Sequence, residues 1–190
     1  MIDFNNFDSN ILKDIKRRNE FIKKILEWSG YKKMELIYRG TRDGMTSNNF
    51  HNKCDNKGPT IVLYKKDKII FGGFTSFSWT SDGDYYTSPD CFIFTLINIY
   101  NTEPTKFPLK NDSNSQYAVY HNSNYGPCFG NGFDIGIDKS DFLNNQSSYT
   151  NFPYSYQDIL GKGKSIFNGD INNKDIRFKF NEIEVFKLSK

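Results

Sequence analysis

The stretch from Leu36 to Trp79, LIYRGTRDGMTSNNFHNKCDNKGPTIVLYKKDKIIFGGFTSFSW, limits what this chain can fold into more than any other, because its apolar runs alternate with turn-forming and polar segments. Leu36-Ile37-Tyr38 is a run of β-formers, and Arg39-Gly40-Thr41-Arg42-Asp43-Gly44 breaks it with turn residues. Ser47 is placed to cap a short helical segment carrying Phe50 and Cys54, which Gly58-Pro59 ends. Thr60 to Tyr64 and Ile69 to Phe74 are β-rich runs joined by the charged tip Lys65 to Lys68, the pattern of a hairpin. Gly72-Gly73 inside the second run predicts a bulge or a close approach by another part of the chain.

A length of 190 residues suits one domain with a substantial core. The net charge of +3 is mild and its cations are scattered among nearly as many acids, so no nucleic-acid partner is implied. The aromatic content of 17% suits the inner faces of packed sheets. Cys54, Cys91 and Cys128 are odd in number and widely spaced, which predicts reduced thiols in a cytoplasmic protein. Acidic and Asn-rich residues follow Met1 in place of a basic segment and an apolar run, so no secretory signal is expected. The longest apolar run, Cys91 to Ile97, is too short to span a bilayer.

Residues Asp8 to Trp28 predict one long helix within an N-terminal region 1–33. Ile11, Ile15, Ile22 and Ile25 form a stripe broadened by Leu12 and Leu26 and interrupted by Arg18, while Lys13, Lys16, Arg17, Lys23 and Lys24 make the other surfaces basic. The stripe can dock on the rest of a monomer, pair with a second copy as a coiled coil over 8–28, or serve as a basic membrane-surface or calmodulin-type helix. Thr80 to Pro89 is expected to be a surface loop, without the acidic ladder of a calcium loop despite Asp82, Gly83 and Asp84. Cys91 to Asn98 is apolar at nearly every position, as a strand buried on both faces should be. Asn101 to Gln116 is expected as the main low-order connection, Tyr117 to Tyr120 and Phe133 to Ile137 as short strands, and Lys139 to Asn173 as a polar region held by aromatic anchors. Ile176 to Leu188 alternates with a change of phase near Asn181, predicting a closing strand with a bulge or bend.

Eight fragments occur in one order from Leu36 to Leu188: LIYRGTRDG, FHNKCDNKGPTIVLYK, FGGFTSFSW, CFIFTLIN, KFPLK, YGPCFGNGFDIGI, SYTNFPYSY and EIEVFKL. Together they span about four-fifths of the chain, and their order resembles that of the TLDc domain family, to which the oxidation-resistance proteins belong. The resemblance implies a mainly β (α+β) fold, an antiparallel β-sandwich over 34–190 with a long N-terminal helix and a few short ones. It implies a non-catalytic intracellular interaction module, a protective role against oxidative stress and binding to the vacuolar proton-pumping ATPase, with no cofactor and no agreed catalytic residues.

The residues themselves offer several sites. Arg39, Arg42 and Asp43 lie in the turn after the first strand, where Arg39 can pair with Glu182 or Glu184; the pair either holds loops internally or belongs to a binding surface with Gly126 and Gly130 of the glycine-rich segment Gly126 to Gly132. Cys54 and Cys128 are the candidates for thiol or peroxide chemistry. His51 and Cys54 stand one helical turn apart, but no second close pair of ligands supports a metal site. YGPCFGNG and GKGKS lack the spacing and context of phosphate-binding loops. Tyr85, Tyr86 and Tyr125 are candidates for a carbohydrate- or peptide-binding face.

Overall fold

A computed structural model describes residues 7–142, 147–172 and 176–190. The regions expected at 1–33 and at Lys139 to Asn173 are therefore described in part, since 1–6, 143–146 and 173 lie outside the described residues. The centre of the molecule is a six-stranded antiparallel sheet made of β1 (Lys33–Arg39), β2 (Thr60–Lys66), β3 (Ile69–Thr75), β5 (Phe92–Ile97), β6 (Thr105–Pro108) and β12 (Glu182–Ser189), in the order β1-β12-β2-β3-β5-β6. The chain's last strand thus lies between β1 and β2. The β2–β3 hairpin turns on Asp67 and Lys68, with Asp67 in the left-handed region at φ 54°.

Both faces of this sheet are covered, which explains why its strands read as unbroken apolar runs. Ile61 and Leu63 of β2, Phe92, Phe94 and Leu96 of β5 and Phe186 and Leu188 of β12 join one apolar cluster; Val62 and Tyr64, Ile93, and Ile183 and Val185 of the same strands join another. Gly72 and Gly73 mark close approaches. A Cβ on Gly72 would stand 2.1 Å from the Val62 carbonyl oxygen, and one on Gly73 would meet the Phe129 ring at 2.5 Å.

The N-terminal segment covers the first face. The expected helix over Asp8 to Trp28 is shorter in the structure: α1 spans Arg18–Ser29, and residues 10–14 form turns. Those turns are built separately because the Asn10 and Ile11 amides point to the Glu184 carboxylate of β12, while Ser9 Oγ accepts from Leu12 N at 3.0 Å. Ile11, Leu12, Ile22, Ile25 and Leu26 are all buried against the sheet, so the chain itself covers most of the predicted stripe. Gly30, at φ 71°, ends α1 by donating its N–H to Leu26 O.

The second face carries α2 (Gly40–Asp43), α3 (Ser47–Cys54), α4 (Ser165–Asn168) and two small antiparallel sheets. One contains β4 (Asp82–Tyr86), β7 (Val119–Asn122) and β8 (Cys128–Phe129); the other contains β9 (Gly136–Ile137), β10 (Ser148–Tyr149) and β11 (Arg177–Phe178). The cap of α3 is Thr46, whose side chain accepts from Asn49 N, one residue before the expected Ser47. Thr80 to Pro89 contains β4 where a loop is expected: pairing of Tyr85 with Tyr120 and Tyr86 with Val119 overrides the turn-forming composition. Asn101 to Gln116 likewise holds β6 and a 3-10 turn at Ser113–Gln116. Of the expected strand from Phe133, Gly136–Ile137 forms β9 and Ile135 makes an isolated antiparallel bridge to Phe129, whereas Phe133 itself turns away from extended backbone at φ 58°. The phase change at Asn181 is where the chain leaves β11 and enters the central sheet as β12, with Asn181 N donating to Lys65 O.

Phe94 is fully buried between Gly72 and the Trp28 ring, 5.8 Å away. Phe94→Ala should lower unfolding free energy by about 3 to 5 kcal/mol, as lost burial adds to a cavity the close-packed glycines cannot fill. Urea denaturation measures it, and an unchanged midpoint would mean that this interface contributes little.

Candidate functional site

The polar residues of the first turn converge on two carboxylates of β12. Arg39 ends β1 with its side chain mostly covered, and its Nε donates to Glu184 Oε1 at 2.7 Å. Glu184 is fully buried and also accepts from Ser9 Oγ at 2.6 Å and Asn10 N at 2.7 Å. The other side of the Arg39 guanidinium pairs with Asp8. Two positions earlier on the strand, Glu182 accepts from Thr41 N at 3.1 Å and from the Thr41 hydroxyl. Asp43 accepts from Arg39 N at 2.9 Å and Arg42 Nη2 at 2.7 Å; these bonds, with the Arg42 contact largest, hold its carboxyl below the usual range. Arg39, Asp43 and Glu184 are therefore brought together, with Arg42 at the exposed rim.

Gly126 and Gly130 form a second group across the molecule. A Cβ on Gly126 would collide with Phe142 and Ile137 at 2.7 and 2.9 Å; one on Gly130, at φ 85°, would stand 1.9 Å from Asp134 Oδ2. Asp134 accepts from Ser155 N at 2.8 Å and from Tyr154 N. Burial pushes its carboxyl up to about 7 against the opposing pull of those amides. The sequence offered no signal for this buried acid beyond its place after two glycines.

His51 Nε2 lies 2.9 and 3.1 Å from the Asn122 and Tyr125 carbonyl oxygens and donates to them, tying α3 to the end of β7. Asp55 and Ser81 both approach Nδ1, at 2.8 and 3.2 Å. A serine activated by histidine needs its own ring nitrogen opposite the carboxylate, and that nitrogen is occupied here by carbonyls. His121 is fully buried, Nδ1 beside Thr80 Oγ1 at 3.0 Å and its ring stacked 4.4 Å from Tyr86. Its Nε2 has no hydrogen-bond partner among the described residues.

Cys54, Cys91 and Cys128 are free and buried, and desolvation pushes each thiol up, the reverse of what a peroxide-reactive thiolate requires. Among the described residues no group of three His, Cys, Asp or Glu side chains is placed to hold a metal ion, and no helix is long and apolar enough to cross a membrane. Of the aromatic candidates, Tyr85 and Tyr125 are partly exposed in the small-sheet layer, whereas Tyr86 turns toward His121 and hydrogen-bonds Asp82.

The mainly β, antiparallel fold with one longer N-terminal helix is the one the ordered fragments imply, and of the two glutamates open as partners for Arg39 it is Glu184 that pairs with it. The family model described as the TLDc domain matches residues 6–189, and the chain belongs to that family. The match includes the N-terminal segment that Glu184 anchors. No curated protein matches the chain.

Glu184→Gln should release the N-terminal segment before the sheet. Hydrogen exchange at residues 10–12 should rise while β2 and β3 stay protected, because the substitution removes the charge that Arg39, Ser9 and the Asn10 amide share. Uniform exchange in wild type and variant would contradict this anchoring role.

The buried titratable groups predict opposing pH effects. His121 is held down to about 4 from 6.5, mainly by burial, so the unfolded chain takes up its proton first and stability is lost as pH falls from about 6.5 toward 4. Asp134, raised from 3.8 to about 7, takes up its proton first in the folded state, so stability is gained as pH falls from about 7 toward 4. Urea midpoints at neutral and mildly acidic pH should therefore move in opposite senses: relative to wild type, His121→Gln becomes less acid-sensitive and Asp134→Asn more so.

Proposed function

We propose that this TLDc domain is a non-catalytic intracellular interaction module that acts as a monomer, binds the vacuolar proton-pumping ATPase and protects against oxidative damage through that partner. The observation that carries this reading is the use of the signature's ionic groups. Arg39, Asp43, Glu182 and Glu184 hold one another and the surrounding backbone, Glu182 taking up the amide and hydroxyl of Thr41, which leaves the Arg42 side chain at the exposed rim of the turn. Gly126 and Gly130 are likewise taken up by packing, against Phe142 and Ile137 and against Asp134, while Ser123 and Asn124 stand exposed at the turn before them. A rigid scaffold presenting short loops is suited to recognition by contact. The buried, high-pKa thiols support a protective role that does not pass through cysteine turnover.

The test is a pull-down of the purified domain from native vesicle membranes, read by mass spectrometry and an ATPase assay. Pump subunits should be captured, and Arg42→Gln should weaken capture while moving the melting temperature only slightly, since the Arg42 side chain is substantially exposed and an exposed ion pair is worth about 0 to 1 kcal/mol. Absence of pump subunits with unchanged pump activity at saturating domain would overturn the pump as partner.

A further inference from the structure

Asp134 is fully buried, and both oxygens of its carboxyl are bound by backbone N–H groups of one loop: Oδ1 accepts from Tyr154 and Oδ2 from Ser155, the latter at 2.8 Å. Gly130 makes room for it, since a Cβ there would stand 1.9 Å from Oδ2. These donors are uncharged, whereas Glu184 is matched by the Arg39 guanidinium. The titratable groups that face Asp134 among the described residues are Lys110, which follows β6, and Tyr156 of the loop itself. Lys110 Nζ donates to Pro153 O at 3.1 Å and the Tyr156 hydroxyl to Ala118 O at 2.7 Å.

The loop is anchored at both ends and exposed in the middle. The Phe152 ring packs 5.1 Å from Phe107 and 5.0 Å from Phe167, and Tyr156 is held by its hydroxyl, while Pro153 and Tyr154 between them are exposed. Ser155 has further ties: its carbonyl accepts from Lys110 N at 2.9 Å and its hydroxyl from Asn131 N at 2.9 Å. The bond from Tyr154 N to Asp134 therefore sets where the exposed tip lies. In that position Tyr154 stands over the glycine-rich turn, where a Cβ on Gly132 would come 3.8 Å from its ring.

Two opposing effects act on this acid. Burial favours its neutral form and raises it to about 7, while the amides of Tyr154, Ser155 and Tyr156 and the field of Lys110 favour the charged form. Linkage makes the second effect reciprocal, because amides that bind a carboxylate more tightly than a carboxyl are held less tightly once the proton arrives. A carboxylate offers two full acceptors to the two N–H groups; a protonated carboxyl keeps one and turns the other into a donor.

We infer that Asp134 is a proton-operated clasp: as a carboxylate it holds Tyr154 against the glycine-rich turn, and on taking up a proton from solvent it keeps Ser155 and releases the Pro153–Tyr154 tip to move between its two ring anchors. The clasp goes beyond the interaction-module reading and stands without it. What it adds is a surface beside Gly126 to Gly132 that differs on the two sides of neutral pH.

The test is a pH titration of the full chain by NMR, following the side-chain carboxyl carbon of Asp134 and the amides of Tyr154 and Ser155 in one series. The carboxyl should titrate with a midpoint near 7, and the Tyr154 amide should shift with the same midpoint and by more than that of Ser155. Asp134→Asn keeps one oxygen acceptor and replaces the other with a donor, so it should abolish the transition and leave the Tyr154 amide near its acid-limit position throughout. Three results would overturn the inference: a Tyr154 amide unmoved through the carboxyl transition, a carboxyl midpoint in the ordinary aspartate range of about 4, or a Tyr154 transition that persists in folded Asp134→Asn. The wild-type titration decides the matter if the variant does not fold.

Discussion

The buried pair of Arg39 and Glu184 is the constraint from which the rest of the domain is arranged. A carboxylate taken wholly out of water must be matched on several sides, and Glu184 meets this with a guanidinium, a hydroxyl and backbone N–H groups drawn from two distant parts of the chain. Because those donors belong to the N-terminal turns and the end of β1, satisfying one charge fixes how the outer helical layer and the first strand meet the last. Nearby, Glu182 fixes the short turn that follows β1 through Thr41. Removing one partner of such a pair leaves an uncompensated buried charge, which is why the two residues hold their places together.

The central sheet was legible because its physical signature is coarse. Strands covered on both faces leave apolar runs, and β2, β3, β5 and β12 fall where such runs do. What local pattern could not show were elements that exist through pairing alone. β4 has the composition of a loop and becomes a strand because β7 lies beside it; β8 to β11 are two residues each, below the length at which alternation carries information. The N-terminal stripe showed which residues are buried, but not that the amides of residues 10 and 11 leave the helical pattern for a carboxylate more than 170 positions away.

The candidate site was legible by residue and not by role. Pairing of Arg39 with Glu184 could be proposed from an arginine after a buried strand and two glutamates on the closing one. The part played by Ser9 could not, since its hydroxyl meets a carboxylate 175 positions further along the chain. Burial likewise separates three cysteines that look alike in sequence from the reactive class, and that depends on the second layer closing over them.

The position of β12 has a consequence for how the chain reaches its fold. The strand that is last in sequence occupies a slot between β1 and β2, so the portions synthesised first hold two unpaired edges open until the end of the domain arrives. The N-terminal turns wait as well, since their anchor lies on the same strand. Such long-range closure slows folding and prolongs exposure of the apolar faces, making completion late and abrupt. A chain interrupted before Glu182 therefore loses the seam that joins its beginning to its middle, and presents to its surroundings the two edges that β12 normally conceals.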